Sequence, residues 1–503
     1  MSVHTENGLT LGMSPESGRR WLSVAALAAP RASALSRWMV VSAIILILCS
    51  CQMGCGSATE SSLRAGSAQT KITPPLGIDM AGKAYRTTGV EGIRDDLWCS
   101  AVVIDDGETQ VAIVALDLLE VDYDVDAACR AAVSEATGIA PEAILLNCSH
   151  THSAPVTCGL IGGEKDPEYI RRLPALVAKA VSAAAHRLEP AALVYGSAPL
   201  ELGVCRRVRM PDGTMGFGED PQGAADRSVQ VIGIVGKGGD PRAIIFEYAC
   251  HGVAFSDDRH VSADWMGEAR SVLSKQMPDV TAAFLQGCAG QIDPRRQYRW
   301  SGMSAGGELA AGSVQEALAE AKPIEGVPLG ARLHRMILSP NPSPDRSAIA
   351  EQLDVYRKAV VQRRQKGAHP REMQTTVEFR EQQERMLRWA EGAEQMPPAP
   401  FVVQALRVGD IGIIGLSGEV FYELGEAISE QSPFEHNLVL GTSNGCLSYI
   451  PTREAFRQGG YETDTAFAMY HAPLIDPDSG DEIVAEAVSL LKDLHDGAGS
   501  TDH

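Results

Sequence analysis

Apolar and polar positions fall into short runs along this chain, and glycine or polar breaks separate strand-like from helix-like stretches. Val102 to Ile104 and Val111 to Leu116 are apolar runs joined by the tight link Asp105-Asp106-Gly107, which predicts a hairpin. Asp124 to Thr137 carries Ala127, Ala131 and Ala132 near one face and stops at Gly138, predicting a helix. A second helical pattern, rich in Ala and Leu, covers Asp166 to Arg187. Strands are expected at Ala192 to Ser197, Ser228 to Val235, Ala243 to Cys250, Thr281 to Leu285, Phe401 to Val408, Ile411 to Leu416 and Asn437 to Gly441. Helices are expected at Trp265 to Gln276, Gly306 to Ala321, Val420 to Ser429 and Val484 to Leu494. No internal repeat and no second hydrophobic unit with its own linker interrupts this alternation. The pattern implies one large mixed α/β domain spanning residues 67–497.

Asp345 to Met396 breaks the pattern. It is rich in Arg, Gln and Glu at helical spacing, with one turn from Gly367 to Pro370. Two charged helices are expected there, as a mobile surface excursion outside any catalytic machinery.

Another run, Ala143 to Leu146, leads into Asn147-Cys148-Ser149-His150-Thr151-His152-Ser153-Ala154-Pro155 and then a loop with Gly159, Gly162 and Gly163. Imidazoles two positions apart share a face on a strand, and at a strand end both rings can still converge on one pocket. That arrangement suits a metal ligand beside a proton-transfer group. A polar strand end whose hydroxyls and imidazoles merely cap the loop would read the same way. His251 after its strand, Glu419 after Ser417-Gly418, and Tyr449 are further candidates near strand ends, where open α/β folds build ligand sites. Singly, each is equally a satisfied histidine, a favourable first-turn charge or a packing tyrosine. Together they supply the three or four N and O ligands that catalytic zinc requires.

Composition narrows the options. A formal charge of −20 over 503 residues argues against a nucleic-acid partner, which calls for basic patches. The first 51 residues read as a targeting leader: Arg19, Arg20, Arg31 and Arg37 flank the apolar stretch Met39 to Leu48. Leu48-Cys49-Ser50-Cys51 resembles a lipoprotein processing box, with Cys51 as the lipidated first residue of an exported, membrane-anchored protein on the periplasmic side or cell surface. A plain secretory signal is the alternative. The leader is long, so an internal start such as Met13 is also open. Residues 52–66 form a polar tether. The eight cysteines of the body lack any Cys-x-x-Cys pair and read as buried small hydrophobes, not metal ligands, although export would permit a disulfide.

Several ordered stretches resemble the neutral/alkaline, non-lysosomal ceramidase family, in its amidase domain. They are Thr73-Pro74-Pro75-Leu76-Gly77 with Met80-Ala81-Gly82; Asp95-Asp96-Leu97; Ser149 to Pro155; His251 with Ser262-Ala263-Asp264; the loop Gln286 to Pro294; Gly418-Glu419; and Tyr449 to Glu454 followed by Tyr461-Glu462. The resemblance implies one zinc held by His150, His251, Glu419 and Tyr449. It also implies catalytic roles for His152, Tyr461 and Arg206, with adjacent Arg207 a rival for the last, and hydrolysis of the N-acyl bond of ceramide or a related N-acyl lipid.

Three departures accompany it. Gly252 follows His251 where proline or a small residue is usual. Gly290-Gln291 replaces Gly-Asp, with Asp293 two positions on. The family's C-terminal immunoglobulin-like domain is expected to be absent. Competing readings are a ceramidase-fold hydrolase of another linear amide or ester, a barrel amidohydrolase, and a non-catalytic surface lipoprotein that binds and does not cut. The barrel reading suffers from the long folded stretch ahead of His150, since barrel enzymes carry His-x-His on their first strand.

Overall fold

The computed structural model describes residues 63–497 apart from 256, 325 and 343; the leader, its processing box and Cys51 lie outside the described residues. The fold begins earlier than the composition of the tether suggests. Arg64–Lys71 is a strand paired in antiparallel register with Trp98–Asp105, so residues 64–66 belong to the sheet and not to a linker. The reason lies in the alternation: Ala68 and Thr70 are buried while Gln69 and Lys71 are exposed, and a polar-looking segment can still fill a sheet interior.

The predicted hairpin is present as Trp98–Asp105 and Gln110–Leu116. Asp105 and Asp106 side chains accept the turn's backbone N–H groups, and Gly107 takes φ 95. These strands belong to a nine-stranded mixed sheet whose outermost strands on the main path are Thr281–Gln286 and Ile144–Cys148. Both outer strands run parallel to their neighbours. A second sheet holds Leu329–Leu338, Ala399–Val408, Ile411–Leu416 and His436–Leu440, and its last pair is also parallel. The first of these, Leu329–Leu338, was not predicted, because Arg332, His334 and Arg335 interrupt its apolar residues.

Asn147 gathers these strand ends. Its side chain donates to the carbonyls of Gln286 and Gly441 at 3.2 and 2.9 Å and accepts from Gln286 N–H at 2.7 Å. One fully buried amide thus ties together the carboxyl ends of three strands. The chain leaving each of them carries a residue singled out above, or one hydrogen-bonded to it.

Leu338 and Ala399 are register partners, so everything between them is an insertion at the end of a hairpin. The insertion forms Arg346–Lys366 and Pro370–Ala390, as expected from its spacing. It does not stand clear of the body. Thr375 Oγ1 donates to the Ala84 carbonyl at 3.2 Å, Arg371 pairs with Asp79, and Arg363 lies 4.5 Å over the Tyr85 ring. Met386 and Trp389 enter a hydrophobic core shared with Leu338 and the terminal helix Ser479–Gly497. No helix among the described residues is long and apolar enough to cross a membrane.

Candidate metal centre

His150 sits two residues beyond Ile144–Cys148, in a left-handed backbone conformation with φ 59. A non-glycine residue held there costs of order 1–3 kcal/mol, and such strain clusters at functional sites. His251 lies three residues beyond Pro241–Tyr248. The two loops are stitched together: Thr151 bridges Gly252 in parallel, and His152 N–H donates to the Gly252 carbonyl at 3.0 Å. A Cβ on Gly252 would stand 2.7 Å from the His150 carbonyl, which explains why glycine follows the histidine in this chain. Asp264, at φ 56, accepts from the Ala254, Phe255 and Trp265 N–H groups, and Trp265 Nε1 donates to the His251 carbonyl. Asp95 accepts from Ser262 Oγ and Ala263 N–H, so the Asp95 and Ser262-Ala263-Asp264 motifs brace the histidine loops and need touch no substrate.

Each of the three imidazoles turns Nδ1 to a backbone carbonyl. His150 faces Leu119 at 3.2 Å, His152 faces Gly82 at 2.9 Å, and His251 faces Ala289 and Ile292 at 2.9 and 3.1 Å. A carbonyl only accepts, so the geometry assigns the ring proton to Nδ1 and leaves Nε2 as a lone pair. Gly82 is required for this: at φ +90, a Cβ there would lie 2.6 Å from the His152 ring. Burial holds both His152 and His251 below the usual histidine range, that is, neutral.

Glu419 enters from the other sheet. Ile411–Leu416 ends, Gly418 turns at φ 84, and Glu419–Val420 pairs in parallel with Tyr449–Ile450, setting Glu419 beside Tyr449. Glu419 Oε2 then lies 3.2 Å from His150 Nε2 and 2.9 Å from His251 Nε2. A carboxylate oxygen against two imidazole lone pairs is repulsive unless a cation sits among them.

The donor set suits a divalent metal ion. His150 Nε2, His152 Nε2 and Glu419 Oε2 are all buried without a hydrogen-bond partner. The ligand atoms of His150, His152 and His251 lie within 4.8 Å of one another. Carbonyl-oriented imidazoles with a supporting carboxylate are the surroundings a protein gives to a divalent cation.

Tyr449 is fully enclosed, with its hydroxyl 3.5 Å from His251 Nε2. Arg206, not Arg207, reaches this group, donating to Tyr449 Oη at 3.0 Å and to His251 Nε2 at 3.1 Å. Asp293 and Glu462 hold its guanidinium at 3.1 and 3.0 Å. Arg207 turns instead to Glu462 and the Gly459 carbonyl. The strand pair Gly203–Arg209 and Met215–Asp220 slips register between Cys205 and Arg207, and that irregularity aims the two adjacent arginines apart. Neither strand was predicted, since their arginines and glycines mask any alternation.

Tyr461 stands 5.6 Å from the Tyr449 ring, edge to face, but its hydroxyl donates to Met469 Sδ and not to the cluster. Tyr470, which no motif signalled, donates to Glu419 Oε1. Arg86, equally unsignalled, donates to the carbonyls of Ala81 and His152. A small cleft lined by Arg206, Met215, Phe217 and Tyr461 opens beside the arginine. A larger cavity, between Tyr195, Glu247 and Tyr422, shares no residue with the cluster.

No protein family's profile and no curated protein matches the sequence. Solved structures do. The neutral ceramidase of Pseudomonas aeruginosa aligns with a TM-score of 0.66 at 18% identity, over 86% of this chain and 75% of that one. The chain has the neutral ceramidase fold. A ceramidase complexed with C2 aligns over the same shares at 18% identity, with a TM-score of 0.67. This large mixed α/β fold is the one the sequence motifs led us to expect. At such identity, the likeness concerns the fold, and the chemistry must be argued from the residues themselves.

Proposed function

We propose that this chain is a zinc-dependent amidohydrolase that cleaves the N-acyl amide bond of ceramide or a related N-acyl lipid, giving a fatty acid and an amine. One observation carries the proposal: His150 Nε2, His152 Nε2 and Glu419 Oε2 are buried and unpartnered, with His150 Nε2 3.2 Å from Glu419 Oε2, in a chain with the ceramidase fold. His150, His251, Glu419 and Tyr449 would hold the zinc, which when bound supplies Lewis acidity and makes water a stronger acid at neutral pH.

The remaining residues fall into roles that their surroundings support. His152, locked by the Gly82 carbonyl, keeps Nε2 available to take a proton from water and return it to the departing amine nitrogen. Arg206, clamped by Asp293 and Glu462, has N–H groups prepared for the negative charge that develops on the amide oxygen. Tyr461 can join it as a donor once its hydroxyl turns from Met469.

The mutual proximity of three imidazoles favours a second reading, in which His152 is itself a ligand and Tyr449 is not. Metal analysis of His152→Ala and Tyr449→Phe separates the two, since only loss of a true ligand empties the site.

The deciding experiment pairs metal analysis with release of fatty acid from a short-chain fluorescent ceramide, in wild type and His251→Ala. Zinc-dependent release that His251→Ala abolishes is expected. A protein that binds zinc yet cuts only other N-acyl amides or esters in a chain-length series would move the substrate. A protein with neither metal nor activity would be the binding module. Export and lipid anchoring at Cys51 are proposed alongside, and mass spectrometry of the mature N-terminal peptide tests them.

A further inference from the structure

A second group of potential ligands lies beyond the first. Glu120 follows Leu119, whose carbonyl orients His150. Its side chain is fully buried, and neither carboxylate oxygen has a well-formed hydrogen bond from an N–H or O–H group. The Cys446 thiol is the polar group that faces it, and Cys158 completes the set: one oxygen and two sulfurs, all within 4.8 Å of one another. Burial and the neighbouring Glu419 push the Glu120 carboxyl well up, and burial does the same to the Cys446 thiol. As neutral acids, the three have weak S–H contacts among themselves to satisfy their buried polar atoms.

The three segments involved are built to meet. Thr157 Oγ1 donates to the Glu120 carbonyl, Asp122 N–H donates to the Thr157 carbonyl at 3.2 Å, and Gly159 N–H donates to Asp122 Oδ1 at 2.9 Å. Cys148 N–H donates to the Thr442 carbonyl at 3.0 Å, which anchors the loop bearing Cys446 to the strand that leads to His150. Apolar Ala81, Leu119, Val156 and Leu160 surround the group. Tyr470, the donor to Glu419, lies close enough to feel the charge of both glutamates.

We propose that Glu120, Cys158 and Cys446 form a second metal site, distinct from the histidine centre, taking zinc or a similar borderline divalent cation in a structural role. Two thiolates and a carboxylate are a donor set that zinc accepts, whereas magnesium and calcium prefer oxygen alone. Binding would release the two thiol protons and the Glu120 carboxyl proton and give the carboxylate a partner. It would also lock together the loops that carry Leu119, the His150 block and Tyr449. Spacing along the chain hides such a site, because its cysteines are 288 residues apart (446 − 158) and share no motif.

The test uses the purified chain from zinc-depleted, cobalt-supplemented medium. Sulfur ligation of cobalt gives a near-ultraviolet charge-transfer absorption that imidazole, carboxylate and phenolate do not. Wild type should show this absorption, and His251→Ala should keep it. Cys158→Ala/Cys446→Ala should lose it along with one metal equivalent, and Glu120→Gln should weaken it. No sulfur-to-cobalt absorption in folded wild type would overturn the proposal without recourse to any variant. So would a Cys158–Cys446 disulfide found by mass mapping without reduction. Failure of the histidine centre to bind metal would show separately, as loss of the equivalent that His251→Ala removes.

Discussion

The strand-end centre and the helical insertion are held in place by different physics. At the centre every ring and carboxylate is oriented by a specific hydrogen bond or ion pair: a carbonyl on each Nδ1, Tyr470 on Glu419, and two acids on Arg206. Gly82 and Gly252 leave no room for a side chain beside the histidine loops. The insertion is held by apolar packing around Phe379, Met386 and Trp389 and by a few polar contacts to residues 79–85. Yet the two meet, because Gly82, which seats His152, lies within the stretch on which the helices rest. Dense polar constraint sets the positions of reacting groups to fractions of an ångström, while looser apolar docking positions a whole segment and leaves its surface free to vary.

The largest effects should come from the centre. His251→Ala should empty the metal site and reduce amide hydrolysis to background, read by metal content and fatty-acid release together. His152→Ala should keep the metal and lower kcat by about 10²–10⁴, the range for a lost proton-transfer group. Arg206→Ala should cost about 10²–10³ in kcat, as for a lost oxyanion donor. Arg207→Ala should cost far less, which sharpens the contrast between neighbours that bond different partners. Tyr470→Phe should weaken metal affinity by about 10–100-fold, measured by competition with a chelator.

The smallest effect should come from the insertion. Arg371→Ala removes a partly exposed ion pair worth at most about 1 kcal/mol and should barely move stability in denaturant titration. Hydrogen exchange sharpens the comparison further. The sequence suggested a mobile excursion, whereas buried Thr376, Gln383 and Met386 predict protection on the inner face of Pro370–Ala390. Uniformly fast exchange there would restore the original expectation.

Much of this was legible in the sequence, for physical reasons that can be named. Apolar runs ending in polar breaks marked the strands that deliver His150, His251 and Glu419, because burial imposes those runs on any sheet interior. Polar supporting groups left no such trace. Asn147, Arg86 and Tyr470 act through backbone carbonyls or a single carboxylate far away in sequence, and no periodicity records such a contact. The hairpin bearing Arg206 was invisible because its charges are neutralised by Asp293 and Glu462, both remote in the chain. Cys158 and Cys446 read as ordinary small hydrophobes, and only their meeting at Glu120 suggests otherwise.

The central claim is that a divalent cation lies among His150, His251 and Glu419. Anomalous diffraction at the zinc absorption edge, from crystals of the purified chain grown without added metal, tests it directly. The account predicts a strong peak within bonding distance of His150 Nε2, His251 Nε2 and Glu419 Oε2. Density showing those atoms hydrogen-bonded to one another or to water, with no anomalous peak between them, would contradict it.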